Sequence, residues 1–198
     1  MRRGLRAVVV TALVSATASF AVPVATPSLA PAASAWTEAP EDYAAYEPED
    51  GCRTRPLPGT GELASWIDRA FTGGAARATM RTCSSSSSEH QDGRAIDWTM
   101  DADKRAQRRE VARFLAKVFA EDPDGNRHAL ARRMGVMYVI WNDRIYASYR
   151  TFEARDYLSS SCRSVERCSK TLRHRDHVHL SLSQRGGRGL TSWYVEGS

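Results

Sequence analysis

Apolar positions in the first half of this chain recur at helical spacing, whereas those near its end alternate with polar ones. Leu63, Trp66, Ile67, Ala70 and Phe71 fall three and four residues apart, which predicts a helix ended by Gly73 and Gly74. Val111, Phe114, Leu115, Val118 and Phe119 repeat that spacing with arginines and lysines opposite, so a second amphipathic helix is expected, with Asp101 as its cap. A turn at residues 122–126 (DPDGN) lacks the ligand spacing of an EF-hand, and a short helix is expected over residues 128–134. His128 there sits among arginines and reads as a surface residue, not a ligand. Residues 136–141 and 145–149 are β-rich and flank Asn142, Asp143 and Arg144, which predicts a hairpin. In residues 177–183, alternation sends Val178, Leu180 and Leu182 to one face and His177, His179, Ser181 and Ser183 to the other. Residues 95–98 read as another short strand, with Asp97 opposite Ile96 and Trp98. Helices early and strands late, without an internal repeat, indicate an α+β domain.

The N-terminus changes the charge picture. Arg2, Arg3 and Arg6 precede an apolar stretch over residues 7–24, and Ala33, Ser34 and Ala35 follow, the order of an export signal cut after Ala35. Ser15, Thr17, Ser19 and Pro23 interrupt that stretch, which makes it weak as a permanent membrane span. Without residues 1–35 the basic residues number 25 against 23 acidic, and the formal charge falls from +5 to +2. No basic tract with interleaved aromatics remains to suggest a nucleic-acid groove. Residues 36–51 read as an extended lead-in with little core of its own, and residues 52–198 as one domain.

Four cysteines in an exported chain point to two disulfides. Three pairings are open; Cys162 and Cys168 enclose a short polar loop and are natural partners, which leaves Cys52 with Cys83. Metal ligation by thiolates would need closer clustering than Cys52 and Cys83 offer.

Candidate chemistry lies in two segments. Three of the five histidines fall within residues 174–179 (HRDHVH), and a fourth, His90, stands seven residues before Asp97 in SEHQDGRAIDW, behind a serine run at residues 84–88. Gly93 permits a tight turn that returns His90 beside Asp97. With His179, two imidazoles and a carboxylate suit zinc, and three protein ligands leave a fourth position for water.

The pattern S-x-H-x-x-G-x-A-x-D at residues 88–97, followed by H-x-H at residues 177–179, resembles the zinc motif of the superfamily that joins lysostaphin-type endopeptidases, D-Ala-D-Ala carboxypeptidases and dipeptidases, and the Hedgehog signalling domain. With Cys83 and residues 131–141 (ARRMGVMYVIW), the chain is also similar to a group of exported actinobacterial proteins of that superfamily. The resemblance implies a single α+β domain, a small antiparallel sheet with helices packed on one side. It also implies His90, Asp97 and His179 as zinc ligands and a general base three residues before the last ligand, at Asp176. The carboxypeptidases and dipeptidases have glutamate at that place, so the shorter Asp176 leaves His177 open as the alternative base or oxyanion stabiliser. The expected function is a secreted, monomeric zinc peptidase acting on peptidoglycan peptides. Arg81 could offset oxyanion charge, and Arg94, Arg173 or Arg175 could bind a terminal carboxylate. The main rival, suggested by Hedgehog, is a zinc-holding extracellular binding protein without catalysis. A magnesium nuclease would need a basic groove, which the near-neutral charge argues against.

Overall fold

The computed structural model describes residues 36–84 and 88–196. The expected export signal at residues 1–35 and the middle of the serine run lie outside the described residues. Helix α1, Pro58–Ala70, begins at a proline whose fixed φ suits the first turn, and it buries Leu63, Ala64 and Ile67 as their spacing requires. Strands β1 (Ala76–Arg77) and β2 (Ala95–Thr99) follow. Next come α2 (Arg105–Val118), α3 (Ala129–Arg133), β3 (Val136–Trp141), β4 (Arg144–Ala147) and β5 (Ala154–Asp156). Strand β6 (His177–Leu182) and the short helices α4 (Gln184–Gly187) and α5 (Ser192–Glu196) complete the chain. The six strands form one antiparallel sheet in the order β1-β2-β6-β3-β4-β5.

Strand β6 therefore sits centrally, and its alternation divides the molecule. Val178, Leu180 and Leu182 join Ile96, Trp98 and Val139 in a core sealed by α1 and α2 through Leu63, Ile67, Phe71, Val111 and Phe114. Full burial of each such large side chain contributes about 1.5–3 kcal/mol. Phe71, Trp98 and Phe114 meet mostly edge-on, with centroids 5.3–5.8 Å apart. This is the expected α+β domain, with the opposite sheet face left for polar residues. The β3–β4 hairpin turns on Asn142 and Asp143, both in the left-handed region with φ of 51° and 63°, as a two-residue loop demands.

One expectation needs correction. Asp101 does not cap α2: the chain makes one extra turn, with Lys104 N–H donating to Asp101 O at 3.0 Å, before the helix starts. The Asp101 carboxylate instead accepts from Asp103 N–H and from Lys170 Nζ, at 2.9 and 2.7 Å. Residues 36–51 have no helix or strand, yet they are fastened to the core. Arg132 donates to Pro40 O and Glu41 O, Arg133 to Glu38 O, and Arg94 to Glu47 O and Pro48 O, at 2.5–3.1 Å. Guanidinium groups supply the donors that a neighbouring strand would otherwise provide. Trp36 and Tyr43 pack beside the same anchors.

Both expected disulfides form, Cys52–Cys83 and Cys162–Cys168, with Cα atoms 5.8 and 5.4 Å apart. Two such bonds fit an oxidising compartment outside the cytoplasm. Among the described residues no helix is long and apolar enough to cross a membrane.

Candidate metal centre

Cross-strand register brings the two halves of the motif together. Asp97 on β2 pairs directly with His179 on β6, so both side chains share the face turned away from the core. His90 comes back over them on the turn before β2. That turn needs Gly93, whose φ is +78° and where a Cβ would lie 2.9 Å from Arg55 O. Thr60 Oγ1 and Leu57 N–H both donate to Gly93 O, and Arg53 N–H donates to Gln91 O at 2.7 Å. The Cys52–Cys83 bond closes this arrangement from the far side of the turn.

His90 Nε2 lies 3.2 Å from His179 Nδ1, and Asp97 Oδ1 lies 3.2 Å from His179 Nδ1 and 3.4 Å from His90 Nε2. These three ligand atoms fall within 4.8 Å of one another. The His90 Nδ1 atom is 2.7 Å from Thr79 O, which can only accept, so Nδ1 carries the proton and Nε2 turns its lone pair inward. His179 meets Ser181 Oγ through Nε2 at 2.9 Å, leaving Nδ1 to face the centre. Burial pushes the His179 pKa down, which favours the neutral imidazole. A carboxylate and two imidazole lone pairs crowded at 3.2–3.4 Å repel unless a cation lies among them. The group can thus hold a metal ion, and the donor set fits zinc.

The neighbouring residues divide the expected catalytic roles. Asp176 directs Oδ1 to His177 Nδ1 at 2.7 Å and accepts from Thr171 Oγ1 on Oδ2 at 2.5 Å. Burial opposes those bonds, yet the Asp176 pKa is lowered by Thr171 and then His177. His177 Nε2 is buried without a hydrogen-bond partner and lies 3.7 Å from Asp97 Oδ1. Of the two candidates, then, His177 presents the free nitrogen and Asp176 orients it.

The expected site set omits His174. It lies in the turn before β6 with a left-handed backbone, φ 50°, and its ring comes within 4.7 Å of His177 and 5.5 Å of His179, centroid to centroid. Burial, then the His179 and His177 rings, push its pKa down to about 3. The signal was present in the three-histidine cluster, but a regular strand could not place the first of them. His128, expected at the surface, is instead half-buried, 2.8 Å from Tyr43 Oη and packed on Phe119 and Phe152, away from this cluster.

Above the centre opens a cleft of about 550 Å³ lined by His90, His174, His177 and His179 with Arg81, Tyr138, Tyr157 and residues 159–161. The three arginines considered as carboxylate binders are committed elsewhere. Arg94 is wholly buried against Asp92 at 2.7 Å, Arg173 grips Asp143 through two 2.8 Å bonds, and Arg175 holds Asn142 and Asp103. Arg81 alone of those weighed lines the cleft.

Neither the curated proteins nor the solved structures include a match to the chain. Residues 52–167 match the family model described as VldE, C-terminal domain, a stretch that contains His90 and Asp97 and stops before His177 and His179. Since that stretch is more than half of the 198 residues, the chain belongs to the VldE C-terminal domain family.

Proposed function

We propose that the protein is a secreted zinc-dependent hydrolase, a peptidase that cleaves peptidoglycan stem or cross-bridge peptides as a monomer. The observation on which this reading rests is the convergence of His90 Nε2, Asp97 Oδ1 and His179 Nδ1 in an open cleft, with the unpartnered His177 Nε2 beside them. The resemblance of residues 88–97 and 177–179 to the Hedgehog and DD-peptidase zinc motif supports the choice of metal and substrate.

When bound, zinc polarises a carbonyl and lowers the pKa of water to roughly 7. His177 Nε2 accepts the proton released as the carbonyl is attacked and passes it to the leaving amine. Asp176 holds the imidazole by its Nδ1–H, so the opposite nitrogen keeps its lone pair toward the substrate. Arg81, at the cleft wall, offsets charge on the tetrahedral intermediate. The same commitment of Asp176, whose carboxylate is held by Thr171 and His177, favours one rival: a zinc-holding extracellular binding protein.

Mass spectrometry of muropeptides incubated with zinc-loaded protein tests the proposal. Shortened peptides are expected with the wild type and not with His90→Ala. Binding to peptidoglycan without any new product would instead identify the rival.

A further inference from the structure

Glu89 puts a carboxylate into the cleft wall with no cation to meet it. The residue is 6 % exposed, and it is the one acid among the described residues that line the cleft. One oxygen accepts from Tyr138 Oη at 2.7 Å, a neutral donor. Among the described residues no Lys, Arg or His forms an ion pair with it, and its other oxygen meets no donor. Withdrawing a carboxylate from water is costly unless a cation or several donors replace the lost solvation, and a single phenol does not replace it. The backbone holds the residue in place, because Arg94 N–H donates to Glu89 O at 2.9 Å within the turn that carries His90.

We propose that Glu89 is a specificity-determining residue that receives a primary ammonium group on the substrate peptide, so that the cleft selects peptides with a free side-chain amine over those whose amine is acylated. This inference rests on the reading of the cleft as a wall-peptide site. An ammonium brings three N–H donors. The free oxygen of Glu89 takes one, and the Tyr138 oxygen, whose own proton goes to Glu89, keeps lone pairs for another. The Tyr138 ring stacks on His179, with centroids 5.7 Å apart and planes 25° from parallel, which sets this anchor beside the ligand cluster. Arg81, the arginine on the same wall, is exposed and forms no ion pair with Glu89.

Two synthetic stem-type peptides test the subsite, both N-terminally acetylated, one with a free lysine amine and one with that amine acetylated. Isothermal titration calorimetry with the full zinc-loaded protein should find the free amine bound about tenfold more tightly or better, the order of a hydrogen bond to a charged group. Glu89→Gln still accepts from Tyr138 through its amide oxygen and should bring the two affinities together. Equal affinities in the wild type overturn the proposal without any variant, so a Glu89→Gln protein that fails to fold does not leave it open. A Glu89→Gln protein that loses zinc affinity in chelator competition yet keeps the preference assigns Glu89 to the metal and also overturns it. Product analysis separates the subsite from hydrolysis. A binding preference without cleavage supports the subsite and overturns the peptidase, whereas cleavage of both peptides at equal affinity does the reverse. If neither peptide binds at millimolar concentration the subsite falls, and muropeptide cleavage still decides the peptidase.

Discussion

Replacing Arg94 by methionine should remove about 3–5 kcal/mol of folding stability, the usual result of orphaning one member of a buried ion pair. Arg94 and Asp92 are both fully buried and 2.7 Å apart. Burial already pushes the Asp92 carboxyl upward, with the Arg94 bond and charge opposing it, so deletion of the cation leaves an uncompensated charge. The variant also strips donors from Leu182 O, Glu47 O and Pro48 O. Water can reach part of that loss, which keeps the total near the figure for the pair alone. Against a total of about 5–15 kcal/mol for an ordinary domain, the change is large. Urea unfolding at pH 7 measures it. The double variant Asp92→Asn, Arg94→Met should be less destabilised than Arg94→Met alone, because no charge is then stranded. The pH dependence adds a check of sign. An acid whose folded pKa is raised binds its proton more tightly when folded, so the Arg94→Met penalty should shrink as pH falls from 7 toward the unfolded carboxyl value of about 4. A loss below about 1 kcal/mol, or a double variant worse than the single one, would refute this account.

Four further outcomes follow from the site. His179→Ala should lose zinc and wall-peptide hydrolysis together, checked by elemental analysis and product release. Asp176→Asn should keep its zinc while turnover falls roughly 10²–10⁴-fold, as expected for a disabled proton-transfer partner; full activity would remove Asp176 from the mechanism. In metal-free protein, His174 has its pKa lowered to about 3, so its neutral form is favoured by the fold. Its stability contribution should be intact above the ordinary histidine value near 6.5 and lost as pH falls toward 3, by at most about 1.4 kcal/mol per pH unit. His174→Phe should flatten that slope by one proton in urea titrations. Selective reduction of Cys162–Cys168 should lower zinc affinity by loosening the loop that leads to Thr171 and the histidine strand; unchanged affinity in a chelator titration would disprove that coupling.

The sequence makes legible those features that depend on local periodicity. Helices α1 and α2, the hairpin and strand β6 each repeat a pattern long enough to declare its period, and β6 alone assigns Val178, Leu180 and Leu182 to the core. The convergence of His90, Asp97 and His179 into a group that could hold a metal ion was legible because their spacing and residue types are unusual together. Strands β1 and β5, with two and three residues, are too short to show alternation. Arg94 has the same sequence signature whether it binds a substrate carboxylate or Asp92, and only the packing decides. Asp176 and His177 could not be ranked from order alone, because the choice depends on Thr171 drawing the carboxylate aside.

The fastening of residues 38–48 has a consequence for where this domain can be divided. The family match begins at Cys52, yet the arginine sockets on α3 and at the head of β2 are filled by carbonyls from upstream of it. A gene fragment trimmed to the matched start would take backbone acceptors from three guanidinium groups, one of them next to Gly93 in the turn that presents His90.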